Sequence, residues 1–446
     1  MSGYNNLKLT RRSVIAGALS ATVLPAWAQS IPSNPDVVVI GAGAAGIAAA
    51  HALIEQGKSV LIVEAAERVG GRAFTESETF GVPFDHGCSW ITASAYPYKP
   101  LAEELGFELR NHTSPGEAVY VGNRRANKSE RNQYDRAWAA MQRALNSAGS
   151  DGLDVPASTV IDNEMDFSGV CQTWIGAMDY GVDFKDLSTK DNWNSAESTP
   201  NLMVKEGHGT LVAKQAVGLP YKLNTPATRI DWSGSGVKVE TPSGTISAKA
   251  CIVTVSPGVL ESGSIAFNPA LPTWKGEAVS NVQMGLLAKI ALQFDGERFG
   301  LRRNDWLTYW VDNNMPAEAC YFLTWPFDFD LMIGFIGGEF GWELSKAGEA
   351  AAIDFALGEV VKMFGSKAKD HFVKGTFTQW ASNPLTMGAY AAAKPGHYDA
   401  REALGRSLGD RVFFAGEAVA GEYVALCSGA YLSGESVGEK VAATLT

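Results

Sequence analysis

Residues 36–75, DVVVIGAGAAGIAAAHALIEQGKSVLIVEAAERVGGRAFT, restrict what this chain can fold into more than any other stretch. Val37–Ile40 is a short, unbroken apolar run rich in β-branched residues, the pattern of a strand buried on both faces. It runs straight into Gly41-Ala42-Gly43-Ala44-Ala45-Gly46, and an alanine-rich helical segment follows to about Gln56. In such a strand–turn–helix the first glycine permits the tight turn, the second lets the backbone approach a pyrophosphate, and the third lets helix and strand pack closely. Gly41, Gly43 and Gly46 hold those places; Ala45 lies in the first helical turn, whose unpaired N–H groups favour a bound anion. Gly57 closes the helix, residues 59–63 form a second strand, and Glu64 ends it with Ala65 beside it. An acid about twenty positions beyond the glycines is where a ribose hydroxyl is held. A bare glycine pattern is weak; strand, glycines, helix, strand and acid in one unit are specific.

The extension narrows the ligand. In Glu67-Arg68-Val69-Gly70-Gly71-Arg72, a second glycine pair (Gly70, Gly71) and Arg72 can close over the pyrophosphate from the other side. With this extension the sequence resembles the flavin amine oxidase family, which holds monoamine, polyamine and L-amino-acid oxidases. The resemblance implies FAD rather than NAD. Four further segments follow in the family's order. Phe84-Asp85-His86-Gly87-Cys88-Ser89-Trp90 resembles the second flavin-contacting segment, with Gly87, Ser89 and Trp90 at the flavin and His86 filling a position. Residues 204–212 resemble the re-entry into the FAD domain, and Ala227 follows where the family places a residue against the adenine. Gln379-Trp380, Gly388-Ala389-Tyr390 and Lys394-Pro395-Gly396 resemble the family's W…G-x-Y…P-G segment. The run 411–417 is a buried strand ending at Gly416-Glu417, and residues 428–434 open a last helix. By resemblance Glu417 bonds the ribityl chain. The helix start, with Ala430 and Tyr431, sets its N–H groups by the flavin's pyrimidine end, where the dipole stabilises negative charge.

The fold expected is α/β: a Rossmann-like FAD-binding domain of the GR2 type with an inserted α+β substrate domain. The FAD domain is assigned to 35–95, 201–262 and 376–446, and the substrate domain to 96–200 and 263–375. Within the insertions, 96–200 reads as helices (100–105 and 131–146) joined by polar loops around 147–154 and 190–199. Residues 236–241 and 244–255 read as strands, and 265–375 as β-rich with an amphipathic helix near 349–364.

Composition excludes little. With 446 residues, 46% hydrophobic and 19% charged, the chain has core material for two or three domain-sized units. A net charge of −11 argues against a nucleic-acid surface. Residues 1–28 are set apart: Thr10-Arg11-Arg12-Ser13-Val14-Ile15 resembles a twin-arginine signal. A mildly apolar run too short for a permanent span follows, then Ala26-Trp27-Ala28, an A-x-A cleavage site. The expectation is folded export to the periplasm, with no stable membrane insertion. Cys88, Cys171, Cys251, Cys320 and Cys427 form no C-x-x-C pair, which predicts neither a disulfide framework nor a metal site.

In this family the flavin takes a hydride equivalent from the carbon beside an amine, and dioxygen reoxidises it to give hydrogen peroxide. The resemblance places three residues at the chemistry. Lys289, a lysine in a largely apolar strand, reaches the flavin N5 region through a water. Tyr390 is one wall of an aromatic cage that flanks the amine. Trp380 packs at the flavin edge. The second cage tyrosine falls at Ala430, with Trp325, Phe327 or Tyr423 as substitutes. Ala389 stands where monoamine oxidases carry the flavin-bonding cysteine, so FAD is expected to be non-covalent. The reading is therefore oxidative deamination of a small-molecule primary or secondary amine (monoamine, diamine or polyamine). Oxygen or a periplasmic cytochrome or quinone is the acceptor, and a homodimer is left open. An L-amino-acid oxidase, with Arg302 or Arg303 for the carboxylate, and a flavin-binding protein without turnover are the alternatives.

Overall fold

The computed structural model describes residues 32–196 and 199–445. The segment read as an export signal lies outside them.

A parallel five-stranded sheet carries the glycine unit, in the order Tyr221–Lys222, Val60–Val63, Val37–Ile40, Ala250–Val253, Val412–Phe414. Because side chains alternate along a strand, Val37 and Val39 enter one apolar core while Val38 and Ile40 enter the other. Both faces are dry, as the unbroken apolar run predicts. On the first face lie helices Ala44–Glu55 and Cys427–Thr444. A Cβ on Gly46 would overlap the Gly41 carbonyl, and one on Gly434 would overlap the Ala45 carbonyl. A Cβ on Gly438 would come within 2.7 Å of the Ala49 oxygen. Two glycines one turn apart thus seat the last helix directly on the first.

The second face is covered by a four-stranded sheet in the order Gly244–Ala248, Val237–Thr241, Arg229–Asp231, Ala266–Asn268, and by short helices including Thr273–Asn281 and Ala400–Gly405. The run read as one strand over 244–255 is two strands of two different sheets. It divides at Lys249, whose N–H bonds the Asp36 carbonyl and turns the chain into the parallel sheet.

A seven-stranded mixed sheet forms the second layer system. Its order is Phe372–Phe377, Leu287–Phe294, Leu331–Gly337, Tyr321–Thr324, Asp305–Tyr309, Glu117–Val121, Arg124–Arg125. Glu117–Val121 pairs in parallel with Asp305–Tyr309 and corrects the all-helical reading of 96–200; a five-residue strand whose partner lies far along the chain leaves no local signal. Helix Lys128–Ser150 is longer than expected and runs into the loop assigned around 147–154. It starts in a capping box, with the Asn127 Oδ1 accepting from Ser129 and Glu130 N–H and Glu130 Oε2 accepting from Asn127 N–H. Thr189–Asn194 is likewise a helix, capped by Ser188, where a loop was expected. Thr173–Tyr180 is a π-helix, a rare form frequent at functional sites. Helix Glu349–Phe364 matches its predicted span.

One buried ion pair fastens helix Thr189–Asn194 to helix Ala400–Gly405. Arg401 Nε and Nη2 donate to the two oxygens of Asp191 at 2.7 and 2.8 Å, and both side chains are almost wholly buried. Asp191 also accepts the Ala393 N–H, while Arg401 donates to the Ala391 and Ala418 carbonyls. Among the described residues no helix is long and apolar enough to cross a membrane.

Candidate active site

A cavity of about 470 Å³ runs from the glycine turn at Gly41 and Gly43 to the face of the seven-stranded sheet at Lys289 and Phe335. Of the residues assigned to the cofactor from sequence, Gly41, Gly43, Ala45, Glu64, Ala65, Gly70, Gly71, Arg72, Gly87, Ser89, Trp90, Ala227, Gly416, Glu417 and Ala430 all line it. Gly46 and Tyr431 do not. Gly46 faces the strand as a packing glycine, and Tyr431 turns into the core against Tyr98 and Tyr96, at centroid distances of 6.0 and 5.8 Å.

At the nucleotide end, Glu64 is held rigidly. Its Oε2 accepts the Ala42 N–H and its Oε1 the Ala66 N–H, both at 2.7 Å, which leaves the outer lone pairs of each oxygen for ribose hydroxyls. Gly43 has a φ of −81°, which any residue adopts, and a Cβ there would meet nothing nearer than the Gly71 Cα at 3.9 Å. The protein therefore has no need of glycine at 43; the added carbon would enter the cavity. A dinucleotide pyrophosphate fits that requirement. Gly43→Val is expected to fold normally and to lose FAD affinity through roughly 1–3 kcal/mol of overpacking, read by titrating stripped protein with FAD. A loss of melting temperature equal to that of Gly46→Val, where the Cβ strikes backbone, would contradict it.

Arg72 and Glu417 also bond each other. Arg72 Nη1 donates to Glu417 Oε1 at 2.8 Å and to the Ala389 carbonyl at 2.9 Å. Glu417, buried, also accepts the N–H groups of Ala391 and Ala425. Most of its hydrogen-bonding capacity is taken up inside the protein, so the pair builds the wall that joins residues 72, 389–391 and 417–425.

Lys289 stands directly opposite Phe335 across antiparallel strands, so the two share a face and both line the cavity. The Lys289 ammonium donates to Asp85 O at 2.7 Å, Gly87 O at 2.5 Å and Ser89 Oγ at 2.6 Å. All three of its hydrogens are thus directed at the loop that borders the cavity. Burial pushes its pKa down to about 8 against the pull of Asp85. Tyr390 lines the cavity and donates its hydroxyl to the Met178 carbonyl of the π-helix at 3.0 Å; burial keeps the phenol protonated. Trp380 donates its indole N–H to the His86 carbonyl at 2.9 Å and also lines the cavity.

The second aromatic wall is not one of the substitutes named from sequence. Trp325 is fully buried against Phe294 and Phe299, Phe327 lies beside Phe329, and neither they nor Tyr423 line the cavity. Trp90 and Phe335 do, 6.0 Å apart and backed by Trp306. Arg302 and Arg303 are largely exposed and pair with Asp305 and Asp328 at the surface. His86 stacks on Phe74, and burial lowers its pKa, in keeping with a position-filling role. Sequence reasoning missed the loop 383–386 and Phe335, which carry no motif. It also missed a tight group: the Cys88 and Cys427 sulfurs and a ring nitrogen of His208 all lie within 4.8 Å of one another. The fold thus brings together two cysteines that form no pair in the sequence.

The sequence profile of flavin-containing amine oxidoreductases matches residues 44–169 and 163–442. The chain belongs to that family. Its cofactor is accordingly FAD and its reaction the oxidation of an amine. Polyamine oxidase 4 of Oryza sativa subsp. japonica is 28% identical over 459 residues, which cover 92% of this chain and 89% of that one. Among solved structures, putrescine oxidase bound to putrescine superposes with a TM-score of 0.76 at 21% identity, covering 92% of this chain and 99% of that one. Cyclohexylamine oxidase from Brevibacterium oxydans gives 0.75 at 23%, with the same coverage. At these identities the structures speak for the fold.

Proposed function

We propose that this flavoenzyme oxidises a monoamine whose remainder is apolar to an imine, which water hydrolyses to a carbonyl compound and ammonia, while oxygen is reduced to hydrogen peroxide. The observation that carries the substrate class is the lining of the cavity. At its sheet end stand Leu287, Phe335, Trp90 and Tyr390 with Lys289, and the carboxylates among the described lining residues are Glu64 and Glu417, both engaged by the protein. A diamine would bring a second ammonium with no free acid to receive it, and a buried unpaired charge is costly. A polyamine oxidase is similar in sequence, and putrescine and cyclohexylamine oxidases share the fold; the apolar lining favours the last kind of substrate.

FAD, when bound, supplies the acceptor for the hydride equivalent and the route to oxygen. Glu64 would orient the ribose, the turn at Gly41–Gly46 and the pair Gly70 and Gly71 would admit the pyrophosphate, and Ala227 would lie by the adenine. Gly416, Ala430 and the loop Gly87–Trp90 would border the flavin. Tyr390 with Phe335 and Trp90 would flank the amine and exclude water, Trp380 would fix the flavin edge, and Lys289 would hold a proton at Nζ for the oxidative half-reaction. Ala389 offers no thiol, so the cofactor would be released on denaturation. In this reading 35–95, 201–262 and 376–446 form the GR2-type cofactor unit, and 96–200 with 263–375 the substrate unit. The twin-arginine motif supports export of the folded holoenzyme to the periplasm; Arg11→Lys with Arg12→Lys should then hold it in the cytoplasm.

The deciding experiment is anaerobic: flavin absorbance is followed while aliphatic and aryl monoamines, diamines, polyamines and amino acids are added in turn. Bleaching by monoamines first, followed by peroxide on admitting air, is the expected outcome. Preferential bleaching by diamines or amino acids would overturn the substrate class. Reoxidation by a cytochrome or quinone but not by air would make the enzyme a dehydrogenase.

A further inference from the structure

Three soft donors meet where three segments of the cofactor unit converge. Cys88 lies in the loop after strand Phe84–Asp85, His208 opens helix His208–Gln215, and Cys427 opens helix Cys427–Thr444. Their Sγ and ring nitrogen atoms are mutually within 4.8 Å. His208 is 1% exposed, and neither of its ring nitrogens has a hydrogen-bond partner of acceptable geometry. Buried polar atoms are nearly always satisfied, so an orphaned imidazole facing two sulfurs calls for a missing partner. The ring is held in place from behind: Tyr98 packs edge-on against it at 4.8 Å, and the His208 backbone N–H is taken by Asp85 Oδ2 at 3.1 Å. The Tyr98 hydroxyl lies 3.4 Å from the Cys427 sulfur.

We propose that Cys88, His208 and Cys427 bind a zinc-type divalent cation. Two thiolates and a neutral imidazole are the donor set this ion prefers, at metal–ligand distances of about 2.0–2.3 Å, and it accepts three protein ligands with a fourth position left for water or another oxygen. Binding releases one proton from each thiol to solvent, and the resulting two negative charges cancel the ion's two positive ones. That neutrality suits the surroundings, where Cys88 and Cys427 pack against one of the apolar cores. Nothing in the amine chemistry above uses these three side chains. All three residues line the cavity, and the ion would tie the loop at residue 88 to the starts of two helices, fixing the wall against which the cofactor rests.

The test uses untagged, FAD-loaded, full-length protein purified without chelator. Elemental analysis is expected to find close to one zinc per chain, with Cys427→Ser and His208→Gln at least tenfold lower and Cys171→Ala, a buried cysteine of the other core, unchanged. Should a variant fail to fold, the parent alone decides: after metal removal, cobalt should produce a thiolate-to-metal charge-transfer band that zinc abolishes. A parent without zinc and without the cobalt band overturns the proposal. So does a mass two hydrogens lower, with residues 88 and 427 joined as a disulfide. FAD content and amine bleaching of the same sample report on the catalytic reading separately.

Discussion

Replacing Lys289 by methionine should slow reoxidation of the amine-reduced enzyme by oxygen on the order of 100-fold, the range for losing a positioned proton donor, while amine-dependent bleaching changes far less. Methionine keeps the length and apolar stem of lysine and removes the charge and donors. Burial sets the lysine near 8, so the ammonium is present below that pH and gives way to the amine above it. Reoxidation to hydrogen peroxide consumes a proton. In the parent its rate should therefore be high on the acid side and fall as pH rises through about 8, and the variant should lack that inflection. Stopped-flow absorbance of the two half-reactions, measured from pH 6 to 10, gives both quantities. If both half-reactions slow equally with the inflection intact, Lys289 acts only as the clasp of loop 85–89 through its bonds to Asp85, Gly87 and Ser89.

Asp191→Ala should destabilise the protein by about 3–5 kcal/mol, because it leaves a buried guanidinium without its counter-charge. The damage should also reach the cavity. Asp191 takes the Ala393 N–H and Arg401 the Ala391 carbonyl, so the pair anchors the strand Tyr390–Ala393 that starts with the cavity tyrosine. Denaturant unfolding with FAD bound and absent measures this. Because the loss arises from the stranded partner, Asp191→Leu with Arg401→Met should cost less than the two single changes added together. Additive losses would show that the two residues act independently.

The cofactor unit was readable because its determinants are local. The two-faced burial of Val37–Ile40, the glycines at 41, 43 and 46, and Glu64 fall within one βαβ unit, and each has its own local reason. The five family segments likewise converge on one cavity. What escaped sequence reading depends on pairing between distant parts of the chain. Strand Glu117–Val121 is defined by its neighbour Asp305–Tyr309. The ion pair of Arg72 with Glu417, both of which line the cavity, joins distant parts of the chain. Cys88, His208 and Cys427 share no spacing that announces a cluster. The Phe335 wall was hidden for another reason: an aromatic in an apolar strand looks the same whether it faces a core or a cavity, and only its register with Lys289 decides.

The glycine-to-alanine contact between the last helix and the first carries a consequence for biosynthesis. Ala45 and Ala49 are made long before their partners Gly434 and Gly438 and the sheet's edge strand Val412–Phe414. The nascent cradle therefore stays open on one side until those residues follow. A stop codon placed just before residue 412 would yield a chain with the whole glycine motif and no means of closing it over a cofactor.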